Sequence, residues 1–93
     1  MSSQKSRILV VDDAVDILEV IKMRLELLGY HVDAVSDPLV ALKMFLDGER
    51  YDLLLTDQKM EGLTGTELME KCLEIDSTLQ TIIFTAFGTI EQA

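Results

Sequence analysis

"YDLLLTDQKMEGLTGTEL", residues 51–68, runs three apolar side chains, Leu53, Leu54 and Leu55, almost directly into an acid, Asp57. Apolar residues on successive positions are the pattern of a strand covered on both faces of a sheet. Beyond the acid, Leu68, Cys72 and Ile75, flanked by Met69 and Leu73, form the apolar face of a helix. A buried strand that stops on a carboxylate at its end requires a reason for the acid to be held there.

The flanking sequence repeats the same alternation of strand and helix. Ile8-Leu9-Val10-Val11 and Ile82-Ile83-Phe84 are continuous apolar runs, whereas Tyr30 to Val35 alternates, as suits an edge strand with one wetter side. Ile17, Ile21, Leu25 and Leu28 recur at helical spacing and stop at Gly29, a C-terminal cap. Asp37 before Pro38 reads as an N-cap with proline in the first turn, and Leu39, Leu42, Phe45 and Leu46 follow before Gly48. The predicted order is β-α-β-α-β-α-β and then a fragment of helix. Such an order implies parallel strands joined by right-handed crossovers, an α/β fold with helices on both faces of one sheet. Ligands of such sheets bind beyond the carboxyl ends of the strands, where the strand order reverses.

Composition narrows the function classes. Ninety-three residues, 48% hydrophobic and 27% charged, fit one small globular domain. The net charge of -9, from 17 acids and 8 bases, provides no basic footprint for a nucleic-acid backbone. It fits a cation site or a basic protein partner. A single cysteine, Cys72, excludes an internal disulfide, and the opening Met-Ser-Ser-Gln-Lys-Ser-Arg has no apolar signal region. The apolar runs are too short to span a bilayer. The expectation is a cytoplasmic chain, without membrane contact, whose residues 1–6 are a disordered lead into a domain covering residues 1–93.

Three acids stand at the predicted rim: Asp12 and Asp13 after the first strand and Asp57 after the third. If these strands are neighbours the carboxylates converge, and each raises the others' pKa unless a cation lies between them. A hard divalent ion that takes oxygen ligands, Mg²⁺ or Mn²⁺, suits that need. Thr85 ends the fourth strand at the same rim, followed by Ala86 and Gly88, where a hydroxyl and backbone N–H groups could hold phosphoryl oxygens. Plainer roles exist for each acid alone: Asp13 as the cap of the first helix, Asp57 as a strand-end turn residue.

Taken together, "ILVVDD" (8–13), "LLLTD" (53–57), Met60, Gly62 and Gly65, and "IIFTA" (82–86) resemble the receiver domain of two-component response regulators, from about residue 7 to the chain end. The ending "TAFGTIEQA" is similar to receivers of the sigma-54 activator, nitrogen-regulator class. The resemblance implies a flavodoxin-like, doubly wound parallel sheet in strand order 2-1-3-4, with three helices and the start of a fourth. It implies a phosphoacceptor switch of a bacterial-type phosphorelay, with no enzymatic activity beyond self-phosphorylation and self-dephosphorylation. Asp57 would take the phosphoryl group, with Asp13 and Asp57 as direct Mg²⁺ ligands, Asp12 acting through water, and the backbone carbonyl of Lys59 as a further ligand. Thr85 would be the switch hydroxyl and the Ala86 N–H would meet the phosphoryl group. The implied partners are a sensor histidine kinase as donor and a C-terminal output domain that regulates transcription, with no direct nucleic-acid contact by this segment.

The chain also departs from that family. Glu61 stands where the family carries proline, four residues after the acceptor. The family's fifth strand, the lysine at its end and the fifth helix would lie beyond Ala93. The domain is therefore expected to be incomplete, with Thr81 to Phe84 as an open edge that favours a homodimer, or strand or helix exchange. Lys59 could tune hydrolysis of the phosphoryl group or be a solvated surface residue. His31 is expected at the surface, and Cys72 as a buried, inert thiol. Two rival readings are a receiver-fold interaction module that takes no phosphate and a metal-dependent phosphohydrolase. The hydrolases of haloacid-dehalogenase type use a D-x-D pattern after the first strand, whereas Asp12 and Asp13 are adjacent.

Overall fold

The computed structural model describes residues 6–84. Its elements are β1 (Arg7–Val11), α1 (Val15–Leu27), β2 (His31–Val35), α2 (Pro38–Leu46), β3 (Leu53–Asp57), α3 (Gly65–Ile75) and β4 (Gln80–Phe84). The strands pair in parallel in the order β2-β1-β3-β4, so the expected α/β topology is the observed one and β2 is an edge. The expected start of a fourth helix lies outside the described residues, as do residues 1–5. Ser6 is tied to the sheet, its carbonyl accepting from the His31 N–H at 2.9 Å.

β1 explains why its sequence is apolar without a break. Ile8 and Val10 point to one face, where they pack with Leu18 of α1 and Val32 of β2. Leu9 and Val11 point to the other, joining Leu54, Phe45 and Ala41 of α2, and Leu68 and Cys72 of α3. Strand side chains alternate between faces, so a strand with helices on both sides must be apolar at every position. β4 is the exception among the continuous runs: Ile82 is 51% exposed, so the described residues leave one face of this strand uncovered.

The helix ends follow local chemistry. Asp37 caps α2 by accepting from the Leu39 N–H at 2.9 Å, with Pro38 in the first turn. Gly29 and Gly48 follow the C-caps of α1 and α2 at φ +100° and +105°, the left-handed region where glycine has no Cβ penalty. Thr64 and Glu67 form a capping box on α3, Thr64 Oγ1 accepting from the Glu67 N–H and Glu67 Oε1 from the Thr64 N–H. The inward face of α1 differs from the expected stripe. Leu18, Ile21 and Leu25 pack on the sheet, while Ile17 and Leu28 are 42% and 73% exposed. Both stripes share Ile21 and Leu25 at helical spacing; the sheet selects between them, and a periodicity alone leaves the helix free to rotate by part of a turn. Among the described residues no helix is long and apolar enough to cross a membrane.

Candidate functional site

The sheet brings the three acids together through register. Val11 pairs with Thr56, so the ends of β1 and β3 lie side by side and the next residues, Asp12 and Asp57, meet at one rim. One carboxylate oxygen from each of Asp12, Asp13 and Asp57 lies within 4.8 Å of the others. Oxygens that share one hard divalent cation lie about 3 to 5 Å apart, given metal–oxygen distances of about 2.0–2.6 Å, so the spacing fits such an ion.

The three acids differ in their surroundings. Asp12 is 2% exposed, and its Oδ1 accepts from the Ala14 N–H at 2.9 Å. Burial raises its pKa above the usual carboxylate value; the Ala14 hydrogen bond opposes this, and the charges of Asp57, Asp13 and Asp16 add to it. Asp13 is exposed. It is not the cap of α1: the capping position is Ala14, whose side chain makes no hydrogen bond to the helix. Asp13 instead borders, with Asp37 and Glu61, an open pocket of about 520 Å³ beside the triad, so the approach to the acids is itself acidic.

Asp57 ends β3, half-buried, and its neighbours hold it on several sides. The Gln58 N–H is shared between Asp57 Oδ1 at 2.9 Å and the Phe84 carbonyl at 3.0 Å. Fully buried Thr56 donates its hydroxyl to the Asp57 carbonyl at 2.9 Å. Gln58 in turn is fixed to the start of α3: its carbonyl accepts from the Gly65 N–H at 3.0 Å, and its Oε1 accepts from the Thr66 N–H at 2.8 Å and the Thr66 hydroxyl at 3.1 Å. Gly62, at φ +96°, turns the intervening loop against Leu39 and Pro38. Sequence reasoning missed Gln58 and Thr66. An amide eight residues before a helical N–H carries no local signal, because the contact exists only once the loop has folded back.

Of the residues singled out from the sequence, Asp12, Asp13 and Asp57 converge. Lys59 lies in the exposed loop two residues beyond Asp57. Thr85 and Ala86 lie outside the described residues; Phe84, which precedes Thr85, is the register partner of Asp57. His31 is exposed on the edge strand. Cys72 is fully buried, and burial pushes its thiol up to about 11.

Known proteins share this architecture. The chain is 30% identical over its full length to the transcriptional regulatory protein GlrR of Escherichia coli, of which it spans 21%. It therefore covers about a fifth of that relative's length. Among solved structures, the response regulator protein TrrA of Thermotoga maritima, in complex with Mg²⁺–BeF, superposes with a TM-score of 0.80 at 37% identity, covering 87% of this chain and 70% of that one. A complex of histidine kinase ThkA with TrrA matches with a TM-score of 0.84 at 33% identity, over 95% of this chain and 75% of that one. Residues 8–93 match the response regulator receiver domain family. With that match, the strand order and the acid triad in agreement, the chain belongs to the response regulator receiver domain family.

Proposed function

We propose that this chain is a phosphoacceptor in which Asp57 takes a phosphoryl group from a phosphohistidine of a sensor histidine kinase. The observation that carries this reading is the convergence of three carboxylates, one of them deeply buried, at the carboxyl ends of neighbouring parallel strands. Likeness to a response regulator solved with Mg²⁺–BeF and to one solved with a histidine kinase supports the metal and the donor. Asp13 and Asp57 would ligate Mg²⁺ directly, Asp12 through water, and Lys59 through its backbone carbonyl. When bound, Mg²⁺ neutralises the acids and the charge that develops on the transferring phosphoryl oxygens.

The chain's own part is alignment. Gln58 N–H anchors Asp57 Oδ1, which leaves the other carboxylate oxygen as the attacking atom in this scheme. A bond forms from that oxygen to phosphorus as the phosphorus–nitrogen bond breaks, and the electron pair stays on the imidazole. The product is an acyl phosphate on Asp57, with no change of oxidation state. The Thr85 hydroxyl and Ala86 N–H are assigned to the phosphoryl oxygens, and the movement of Thr85 toward them is the switch. Control of a C-terminal output domain, in the cytoplasm, follows from the same proposal.

The test is incubation of the full chain with a small-molecule phosphodonor and Mg²⁺, followed by intact-mass spectrometry. Wild type is expected to gain one phosphoryl group, and Asp57→Asn or wild type in excess EDTA none. An unmodified wild type, or equal modification of Asp57→Asn, overturns the assignment.

A further inference from the structure

We propose that Gln58 is a positioning residue for the phosphoacceptor, coupling the aim of the Asp57 carboxylate to the first turn of α3. This rests on the reading of Asp57 as the nucleophile and deepens it. Gln58 uses its backbone N–H, its carbonyl and its side chain at once. Its N–H donates to Asp57 Oδ1 at 2.9 Å and to the Phe84 carbonyl at 3.0 Å. Its own carbonyl accepts from the Gly65 N–H at 3.0 Å. Its side-chain oxygen accepts from both the Thr66 N–H at 2.8 Å and the Thr66 hydroxyl at 3.1 Å.

The first N–H groups of a helix have no partner within the helix. In α3 they are divided between two acceptors of different consequence. Thr64 takes the Glu67 N–H in the capping box, and among the described residues its side chain makes no hydrogen bond to Asp12, Asp13 or Asp57. Gln58 takes the Gly65 and Thr66 N–H groups and is covalently joined to Asp57. The residue that receives α3 through its side chain and carbonyl therefore also presents the N–H that orients the nucleophile. If the Gln58 side chain lets go of Thr66, the peptide between Asp57 and Gln58 is left to the Phe84 carbonyl and the Thr56 hydroxyl, and the Asp57 oxygen is aimed less firmly while its register in β3 is kept by the pairing with Phe84. Phosphoryl transfer depends steeply on such alignment, since small displacements of reacting groups cost large factors in rate.

The two kinds of cap make the test discriminating. Gln58→Met keeps the length of the side chain and removes its acceptor, whereas Thr64→Ala removes a cap of the same helix that does not touch Asp57. Both variants should lower Tm. With a small-molecule phosphodonor and saturating Mg²⁺, Gln58→Met should phosphorylate about tenfold more slowly than wild type, and Thr64→Ala within about twofold of it. Thr66→Val, which removes only the hydroxyl donor, should be slower by about threefold, and it decides the question alone if Gln58→Met does not fold. Wild-type rates for Gln58→Met or Thr66→Val, or equal losses in Gln58→Met and Thr64→Ala, would overturn the proposal. Phosphorylation of wild type that disappears in Asp57→Asn, measured alongside, separates failure of this inference from failure of the phosphoacceptor reading.

Discussion

Gly65, the first residue of α3, lies against the backbone carbonyl of Asp57: a Cβ at this position would overlap that oxygen and stand 3.0 Å from Gln58 Oε1. Alanine at a helical position ordinarily stabilises relative to glycine. Here the sign should reverse, because the obstacle is backbone rather than a side chain that can move aside. Gly65→Ala is expected to lower stability by about 1–3 kcal/mol in urea denaturation. Unchanged or increased stability would show that α3 can withdraw from the strand end without cost.

The buried carboxylate of Asp12 supplies a second prediction. Burial raises its pKa in the folded state above the unfolded value. Its contribution to stability is therefore fully present below the unfolded pKa and lost as pH rises through the folded one. At neutral pH without a divalent cation it is a charge the fold must accommodate, so Asp12→Asn should stabilise the chain in EDTA by roughly 1 kcal/mol. The gain should vanish when pH is lowered enough to protonate Asp12. Mg²⁺ should raise Tm of wild type and act less on Asp12→Asn or Asp13→Ala. Equal Mg²⁺ effects on all three proteins would contradict a shared cation site.

Tyr51 tests what secures the edge strand. Its hydroxyl donates to Asp33 Oδ2 of β2 at 2.6 Å, and the Arg7 guanidinium stacks 4.6 Å from its ring centroid. Tyr51→Phe should cost about 1–2 kcal/mol. Burial, then the bond to Asp33, raise the phenol's pKa, so the difference between wild type and Tyr51→Phe persists up to pH ~10 and falls as the folded-state phenol ionises. A double-mutant cycle with Asp33→Asn checks the pairing; additive losses would mean the two side chains do not interact.

Cys72 is fully buried, and its thiol is pushed up to about 11 by that burial. The thiolate is the reactive form, so native chain at pH 8 should resist alkylation that goes to completion in urea. Mass spectrometry of the two samples reads the outcome. Alkylation of native chain at the unfolded rate would contradict the packing of α3 on the sheet.

Much of this architecture was legible because it rests on local signals. Continuous apolar runs marked β1 and β3, alternation marked β2 as an edge, and Asp37-Pro38 marked the start of α2. The acids were legible as a group because strand order alone brings Asp12 and Asp57 to one rim. The rotation of α1 was not, since Ile17 and Leu28 are as apolar as Leu18 and only the sheet distinguishes them. Nor was the reason for Gly65, which depends on how closely α3 approaches Asp57. Gln58 and Thr66 were invisible for the same cause: their contact is made by the fold of an eight-residue separation, not by any local pattern.

The central claim, that Asp57 is the nucleophile, is tested most directly by locating the acyl phosphate. Chain phosphorylated in the presence of Mg²⁺ is reduced with borohydride, which converts an aspartyl phosphate to homoserine, and the peptides are sequenced by mass spectrometry. The account predicts homoserine at position 57 and at no other acid. Homoserine at position 12 or 13, or its absence from a chain that carries the phosphoryl group, would contradict it.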